Sequence, residues 1–230
     1  MKKVLIIGAT SGIGEALAKS LDKSNYEVFG TYNKTETSID KVQLTYLNVL
    51  EDDLDLSHLP DSMDALVYCP GSIDLKPFHR IKLADFEEDL KLQFIGAIKV
   101  IQRVLNQLKN SRNASIILFS TIAARKGFPF HTMVGSSKAA LEGLTKSLAA
   151  EFAPLIRVNC IAPSLTETRL SSRLLNTEAK KEANEKRHPL QSIGTAQNIA
   201  DMAEFLISDR SSWITGQILA VDGGLSTLNV

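Results

Sequence analysis

Val4-Leu5-Ile6-Ile7-Gly8-Ala9-Thr10-Ser11-Gly12-Ile13-Gly14 stands near the start of the chain, and its reading decides the fold. The apolar run is too short for a membrane span or a secretory signal, but it suits a strand buried on both faces. Glycines spaced G-x-x-x-G-x-G follow. A helical pattern over 14–23 comes next, with Leu17, Ala18 and Leu21 on one face. Strand, glycine turn and helix in that order predict a phosphate-binding turn. Glycines let the backbone approach a pyrophosphate, and the helix start supplies free N–H groups and positive dipole. Gly8, Thr10, Ser11, Gly12, Ile13 and Gly14 are therefore candidate dinucleotide contacts.

Outward from this turn, short apolar runs alternate with helical patterns. Strands are expected at 4–7, 27–32, 43–48, 65–69, 115–120, 157–162 and 217–221. Helices are expected at 14–23, 84–109, 136–152 and 197–208, the second carrying Phe86, Leu90, Phe94, Ile98, Ile101, Leu105 and Leu108 at three- and four-residue spacing. This alternation is the signature of βαβ units. It predicts an α/β fold: one doubly wound Rossmann domain over 1–230, with a parallel sheet of about seven strands and helices on both faces. The stretch 164–194 breaks the rhythm, being polar and helix-prone up to Pro189. A solvated surface excursion explains it, and so does a lid over a ligand site.

Composition narrows the function classes. Lys plus Arg and Asp plus Glu each total 26, so no net field favours nucleic acid or an anionic membrane. Cys69 and Cys160 both fall in apolar runs and read as buried thiols. His58, His79, His131 and His188 form no zinc-binding pattern, so no metal is expected. A cytoplasmic protein acting on a small molecule is the expectation.

Further motifs carry a family resemblance. Leu66-Val67-Tyr68-Cys69-Pro70-Gly71 stands where the short-chain dehydrogenase/reductase family has an Asn-Asn-Ala-Gly strand end. Ile161-Ala162-Pro163-Ser164 resembles that family's Pro-Gly turn, with Thr168 at a position that touches the cofactor. Ile214 to Gly224 looks like its C-terminal signature, and the resemblance spans nearly the whole chain. It implies a nicotinamide cofactor contacted by Cys69, Pro70, Gly71, Pro163 and Thr168. Asn48-Val49 stands where the family has Asp-Val against the adenine. An acid ending the second strand would accept from a free ribose 2′-hydroxyl and repel a 2′-phosphate. Here that strand ends Gly30-Thr31-Tyr32-Asn33-Lys34-Thr35, with no acid before Glu36. Thr31, Asn33 and Lys34 suit a phosphate, so NADP(H) is favoured over NAD(H), although Ser11 stands where many NADP-preferring relatives carry a basic residue.

The resemblance also implies a catalytic set of tyrosine, lysine, serine and asparagine. A phenol of reference pKa about 10 needs a nearby cation to exchange protons near neutrality. Lys138 matches the lysine, Thr121 the serine and Gln93 the asparagine; Val134 occupies the tyrosine position, four residues before the lysine. Three readings follow. His131 acts as a relocated proton donor; water or Thr121 serves as a weaker acid; or the chain binds dinucleotide and catalyses nothing, as a sensor or partner subunit. The resemblance further implies a homodimer or homotetramer through helices 84–109 and 136–152, where Leu92, Val100, Leu141 and Leu148 extend the apolar surface.

Overall fold

Alternate residues of the first strand serve opposite layers of the molecule, and the rest of the sheet repeats the arrangement. The computed structural model describes residues 1–229. In β1 (Lys2–Ile7), Leu5 and Ile7 pack into one core while Val4 and Ile6 pack into the other. Such alternation across a pleat leaves both faces in need of cover. Helix α1 (Gly12–Asp22) supplies Leu17, Ala18 and Leu21 to the second core. The chain continues through β2 (Tyr26–Tyr32), β3 (Val42–Tyr46) and β4 (Ala65–Tyr68). Helices α2 (Leu83–Leu90) and α3 (Gly96–Lys109) precede β5 (Ala114–Phe119), and α4 (Thr132–Phe152) leads into β6 (Ile156–Pro163). After β7 (Thr166–Glu167) and α5 (Glu178–Glu185) come β8 (Gly194–Thr195), α6 (Ala196–Ile207) and β9 (Ile218–Val221).

Seven strands form one parallel sheet in the order β3-β2-β1-β4-β5-β6-β9. The fold class is therefore the expected doubly wound one. Val100 and Leu141 bring α3 and α4 to one face, and Ile199 and Ala203 bring α6 to the other. Each fully buried Leu or Ile contributes roughly 1.5–3 kcal/mol relative to exposure. The chain reverses its winding between β1 and β4, which opens a crevice beyond the strands' carboxyl ends.

Three expectations are refined. The helix over 84–109 is interrupted, because Lys91–Ile95 forms a wider π turn in which the Gly96 N–H bonds to the Lys91 carbonyl. The Tyr68 hydroxyl donates to the Leu92 carbonyl at 2.6 Å, and a side chain on Gly96 would collide with that hydroxyl. A helix period cannot announce this, since the contact that accompanies it comes from β4. The helix placed at 136–152 begins at Thr132, so Val134 sits inside it on the same face as Lys138. Val100 and Leu141 are fully buried in their own core, so neither extends a pairing surface; Leu92 and Leu148 are partly buried against that core.

The excursion at 164–194 is clasped at its base. β7 pairs in parallel with β8, Thr166 beside Gly194 and Glu167 beside Thr195, and α5 lies between them in the chain. No helix among the described residues is long and apolar enough to cross a membrane. Among the described residues no group of three or more His, Cys, Asp or Glu could hold a metal ion.

Candidate functional site

The carboxyl ends of the strands border a cleft of about 1030 Å³, and every sequence-proposed residue except Asn48 lines it. That volume is ample for a dinucleotide and a small substrate.

One half of the cleft is built from the β1–α1 turn. Gly8 and Gly12 adopt φ of 80° and 57°, a region open to glycine at little cost. Ser11 caps α1 without a side-chain hydrogen bond, so the first-turn N–H groups keep no intramolecular acceptor from that cap. An anion at this point would meet both free donors and the positive helix end. Gly14 lies where any Cβ would overlap the Gly8 carbonyl, so helix and strand can approach this closely only through glycine. Thr31 acts locally, its hydroxyl accepting from the Gly8 N–H at 3.2 Å and steadying the turn. Asn33 and Lys34 stand exposed at the rim. Asn48 lies behind that wall, accepting from the Asn33 side chain at 3.4 Å and the Leu50 N–H at 3.2 Å, while buried Val49 reaches the cleft. Thr168 crosses over from the 164–194 segment, its methyl 3.6 Å from the point where a Gly12 Cβ would be. Beside it, the Arg169 guanidinium donates to the Thr35 hydroxyl at 3.2 Å.

Electrostatics favour an anionic ligand throughout. Lys34, Lys138, Arg169, Arg173, Lys180 and Arg187 line the cleft, and among the described residues no Asp or Glu does. In a chain of zero formal net charge, this asymmetry is local design of the site.

The other half is framed by β4, the π turn, β5 and α4. Gly71 brings two polar groups together: its hypothetical Cβ would lie 3.4 Å from Gln93 Oε1 and 3.6 Å from Lys138 Nζ. Gln93 is fully buried and donates to Asp89 Oδ1 at 2.7 Å, and the Ser72 hydroxyl donates to the same oxygen at 2.5 Å. Burial pushes the Lys138 ammonium down to about 8, partly opposed by nearby groups that include Asp89. Asp89 is the residue that sequence reasoning missed. The available signal was an acid four residues before Gln93, on the buried side of its helix.

Thr121 lies two residues beyond the end of β5; its hydroxyl accepts from the Ala123 N–H at 3.3 Å and donates to the Pro163 carbonyl at 3.5 Å. Ser120 turns away, donating to Glu142 at 2.8 Å, and Arg125 holds the other oxygen of that carboxylate at 2.8 Å. Val134 faces the cleft and is 6% exposed, so no ionisable group occupies its place. His131 lines the mouth with Nδ1 against the Pro129 carbonyl at 2.8 Å. A carbonyl there requires Nδ1–H, which leaves Nε2 of the neutral ring as an acceptor. Cys69 and Cys160 are free thiols whose burial pushes each up to about 12, so neither is a ready nucleophile.

Fold and cleft together define an α/β protein of the doubly wound class with a large cleft beyond the carboxyl ends of its strands. Similarity to known proteins carries this one step further. Residues 55–226 match the family model described as enoyl-(acyl carrier protein) reductase. The chain is 31% identical to the 3-oxoacyl-[acyl-carrier-protein] reductase FabG of Aquifex aeolicus, over 97% of each chain. It is likewise 31% identical to the protein of that name from Thermotoga maritima, again over 97% of each. Among solved structures it resembles ligand-free aldohexose dehydrogenase of Thermoplasma acidophilum, with a TM-score of 0.92 and 27% identity over 99% of this chain and 95% of that one. It also resembles ElxO with NADP bound, with a TM-score of 0.88 and 26% identity over 99% of both chains. The chain belongs to the short-chain dehydrogenase/reductase family, whose members are oxidoreductases using NAD(P).

Proposed function

We propose that this protein is an NADP(H)-preferring reductase of a small carbonyl substrate that works with a proton donor other than tyrosine. The observation that carries the reading is the meeting of Lys138 and Gln93 at Gly71 in a cleft that Thr121 also lines and that the N-terminus of α1, without a side-chain cap, borders. A dinucleotide laid between them would place its pyrophosphate on the glycine turn and its nicotinamide ribose at Lys138. Bound there, the nicotinamide supplies the hydride. The chain's own residues bind, orient and protonate: Thr121 presents a hydroxyl at the mouth of β5, and Gln93, gripped by Asp89, sits beside the Lys138 ammonium.

Lys34 at the rim and Arg169 from the opposite wall support a 2′-phosphate, and the absence of a wall acid among the described residues supports it further. Because two curated relatives matched along nearly their whole length are named as 3-oxoacyl-[acyl-carrier-protein] reductases, a 3-oxoacyl thioester is the first substrate to assay. The 164–194 segment is proposed as the substrate lid, supported by its cationic residues on the cleft wall. Family relationship supports a homodimer or homotetramer through α3 and α4, which light scattering reads directly.

His131 fits the donor role only after protonation of Nε2, since its Nδ1 is committed to Pro129. Val134 favours a second reading, a dinucleotide-binding protein without catalysis. Titration of NADPH and NADH followed by nicotinamide fluorescence, then cofactor oxidation against 3-oxoacyl thioesters and a carbonyl panel, separates the two. Tighter NADPH binding with turnover is the expected result. Tight binding without turnover on any substrate would support the second reading, and binding of neither cofactor would defeat both.

A further inference from the structure

Ser164 and His188 form a hydrogen-bonded pair on the cleft wall that none of the residues above explains. Ser164 Oγ lies 2.8 Å from His188 Nε2, and His188 Nδ1 lies 2.8 Å from the Asn184 carbonyl. A carbonyl accepts only, so Nδ1 carries hydrogen and the neutral ring's Nε2 accepts from the serine. With the ring neutral the hydroxyl proton is held by Nε2; protonation of Nε2 reverses the bond, so that the imidazolium donates to Oγ and the hydroxyl proton is free to face a ligand. His188 is 2% exposed and hydrogen-bonded at both ring nitrogens, and both residues belong to the cleft lining. Its surroundings are largely uncharged: Ser164, the Asn184 carbonyl and Gly223 pack on it, and Asp222 is the carboxylate whose charge it feels.

Position matters as much as chemistry. β5 and β6 pair with Phe119 beside Ile161, and the same direction of travel brings Thr121 to the Pro163 carbonyl. Ser164 is the next residue after Pro163 and lines the same cleft as Thr121 and Val134, the latter of which offers no acid. The turn resembles a Pro-Gly turn with a serine in the glycine's place, which gives a hydroxyl to a position otherwise without a side chain.

The geometry points to Ser164 as the proton donor to the substrate oxygen, recharged by His188. This assignment rests on the carbonyl-reductase reading above. In the step, the carbonyl carbon takes the hydride of a dihydronicotinamide and the C=O π bond opens onto oxygen. That oxygen takes the Ser164 hydroxyl proton as Oγ recovers one from Nε2–H of the His188 imidazolium. The ring returns to its neutral Nδ1–H form, held by the Asn184 carbonyl, and solvent restores the imidazolium. Carbonyl, hydride and proton make the alcohol, and the nicotinamide is oxidised. Ser164 is the catalytic residue; His188 acts through it and is a positioning and recharging residue.

The test compares wild type with Ser164→Ala, Ser164→Thr and His188→Ala, using NADPH fluorescence titration and single-turnover reduction of the substrate that wild type accepts. NADPH affinity should stay within about twofold of wild type in the serine variants, because neither hydroxyl nor ring is needed to hold the dinucleotide. Single turnover should fall on the order of 100-fold in Ser164→Ala and recover substantially in Ser164→Thr. Added imidazole should restore part of the lost rate to His188→Ala, which a purely structural histidine would not allow. A nitrogen-15 NMR spectrum of the wild-type ring should show the Nδ1–H tautomer, with Nε2 shifting in Ser164→Ala. Ser164→Ala turning over at the wild-type rate would overturn this inference alone and leave the reductase reading standing. Wild type that binds NADPH yet reduces nothing would overturn both together.

Discussion

The two halves of the cleft place different demands on their residues. On the β1–α1 side, the expected turn is intact: Gly8, Gly12 and Gly14 each meet a steric demand, and Thr31 ties the turn to β2. On the β5–α4 side the resemblance drawn from the sequence matches only Lys138 unchanged, with Thr121, Gln93 and Val134 at the other three positions it implies. The contrast has a physical source. A phosphate turn depends on backbone N–H groups and the absence of side chains, so few substitutions are tolerated. Proton transfer needs a hydroxyl or imidazole within reach of one oxygen, and several positions around a cleft can offer that. One half is constrained by packing; the other by reach alone.

The hardest test of the constrained half is Gly14→Ala. Its methyl would enter the space of the Gly8 carbonyl. We expect overpacking of about 1–3 kcal/mol and loss of NADPH affinity on the order of 100-fold, equivalent to about 2.7 kcal/mol. Thermal denaturation beside fluorescence titration reads both, and near-wild-type affinity would break the claim that this turn tolerates no side chain.

Val134→Tyr probes the permissive half. It rebuilds a tyrosine four residues before Lys138 on one helix face, next to an ammonium that burial holds at about 8. Single-turnover reduction should rise on the order of 100-fold, the lower end of what a positioned general acid contributes. No gain in a folded, NADPH-binding variant would show that the present donor already saturates the step.

Lys138→Met has the smallest expected effect and sharpens the boundary between the halves. Cofactor affinity should fall about tenfold, or roughly 1.4 kcal/mol. Stability should move the other way at pH 7. Burial depresses the ammonium to about 8 in the folded chain, against about 10.4 when unfolded. Between those values the unfolded chain binds more protons, so wild-type stability rises with pH across that window, and the cost is fully present below it. The methionine variant should therefore melt above wild type at pH 7, with the gap closing towards pH 10. A variant that melts lower at pH 7 would mean that the ammonium is paired more strongly than it is desolvated.

Apolar strands, one-sided helices and the glycine turn were legible in the chain itself because they depend on near neighbours: a period of two, a period of 3.6, a residue without Cβ. The cofactor turn was legible on the same local ground, whereas Lys138, Thr121, Gln93 and Val134 were proposed from the family resemblance and not from any period in the chain. What escaped were groupings of residues far apart in sequence. The π turn at Lys91–Ile95 accompanies a hydroxyl from β4, and Asp89 gains its meaning from Ser72 and Lys138 on other elements. The removal of Asn48 from the cleft wall, the cationic wall without acids among the described residues, and the meeting of Ser164 with His188 across a 24-residue excursion arise only when the sheet closes. Sequence determined the scaffold and the kind of ligand it suits; tertiary packing decided which hydroxyls and charges share one cavity, because desolvation and hydrogen-bond reach are properties of space and not of spacing.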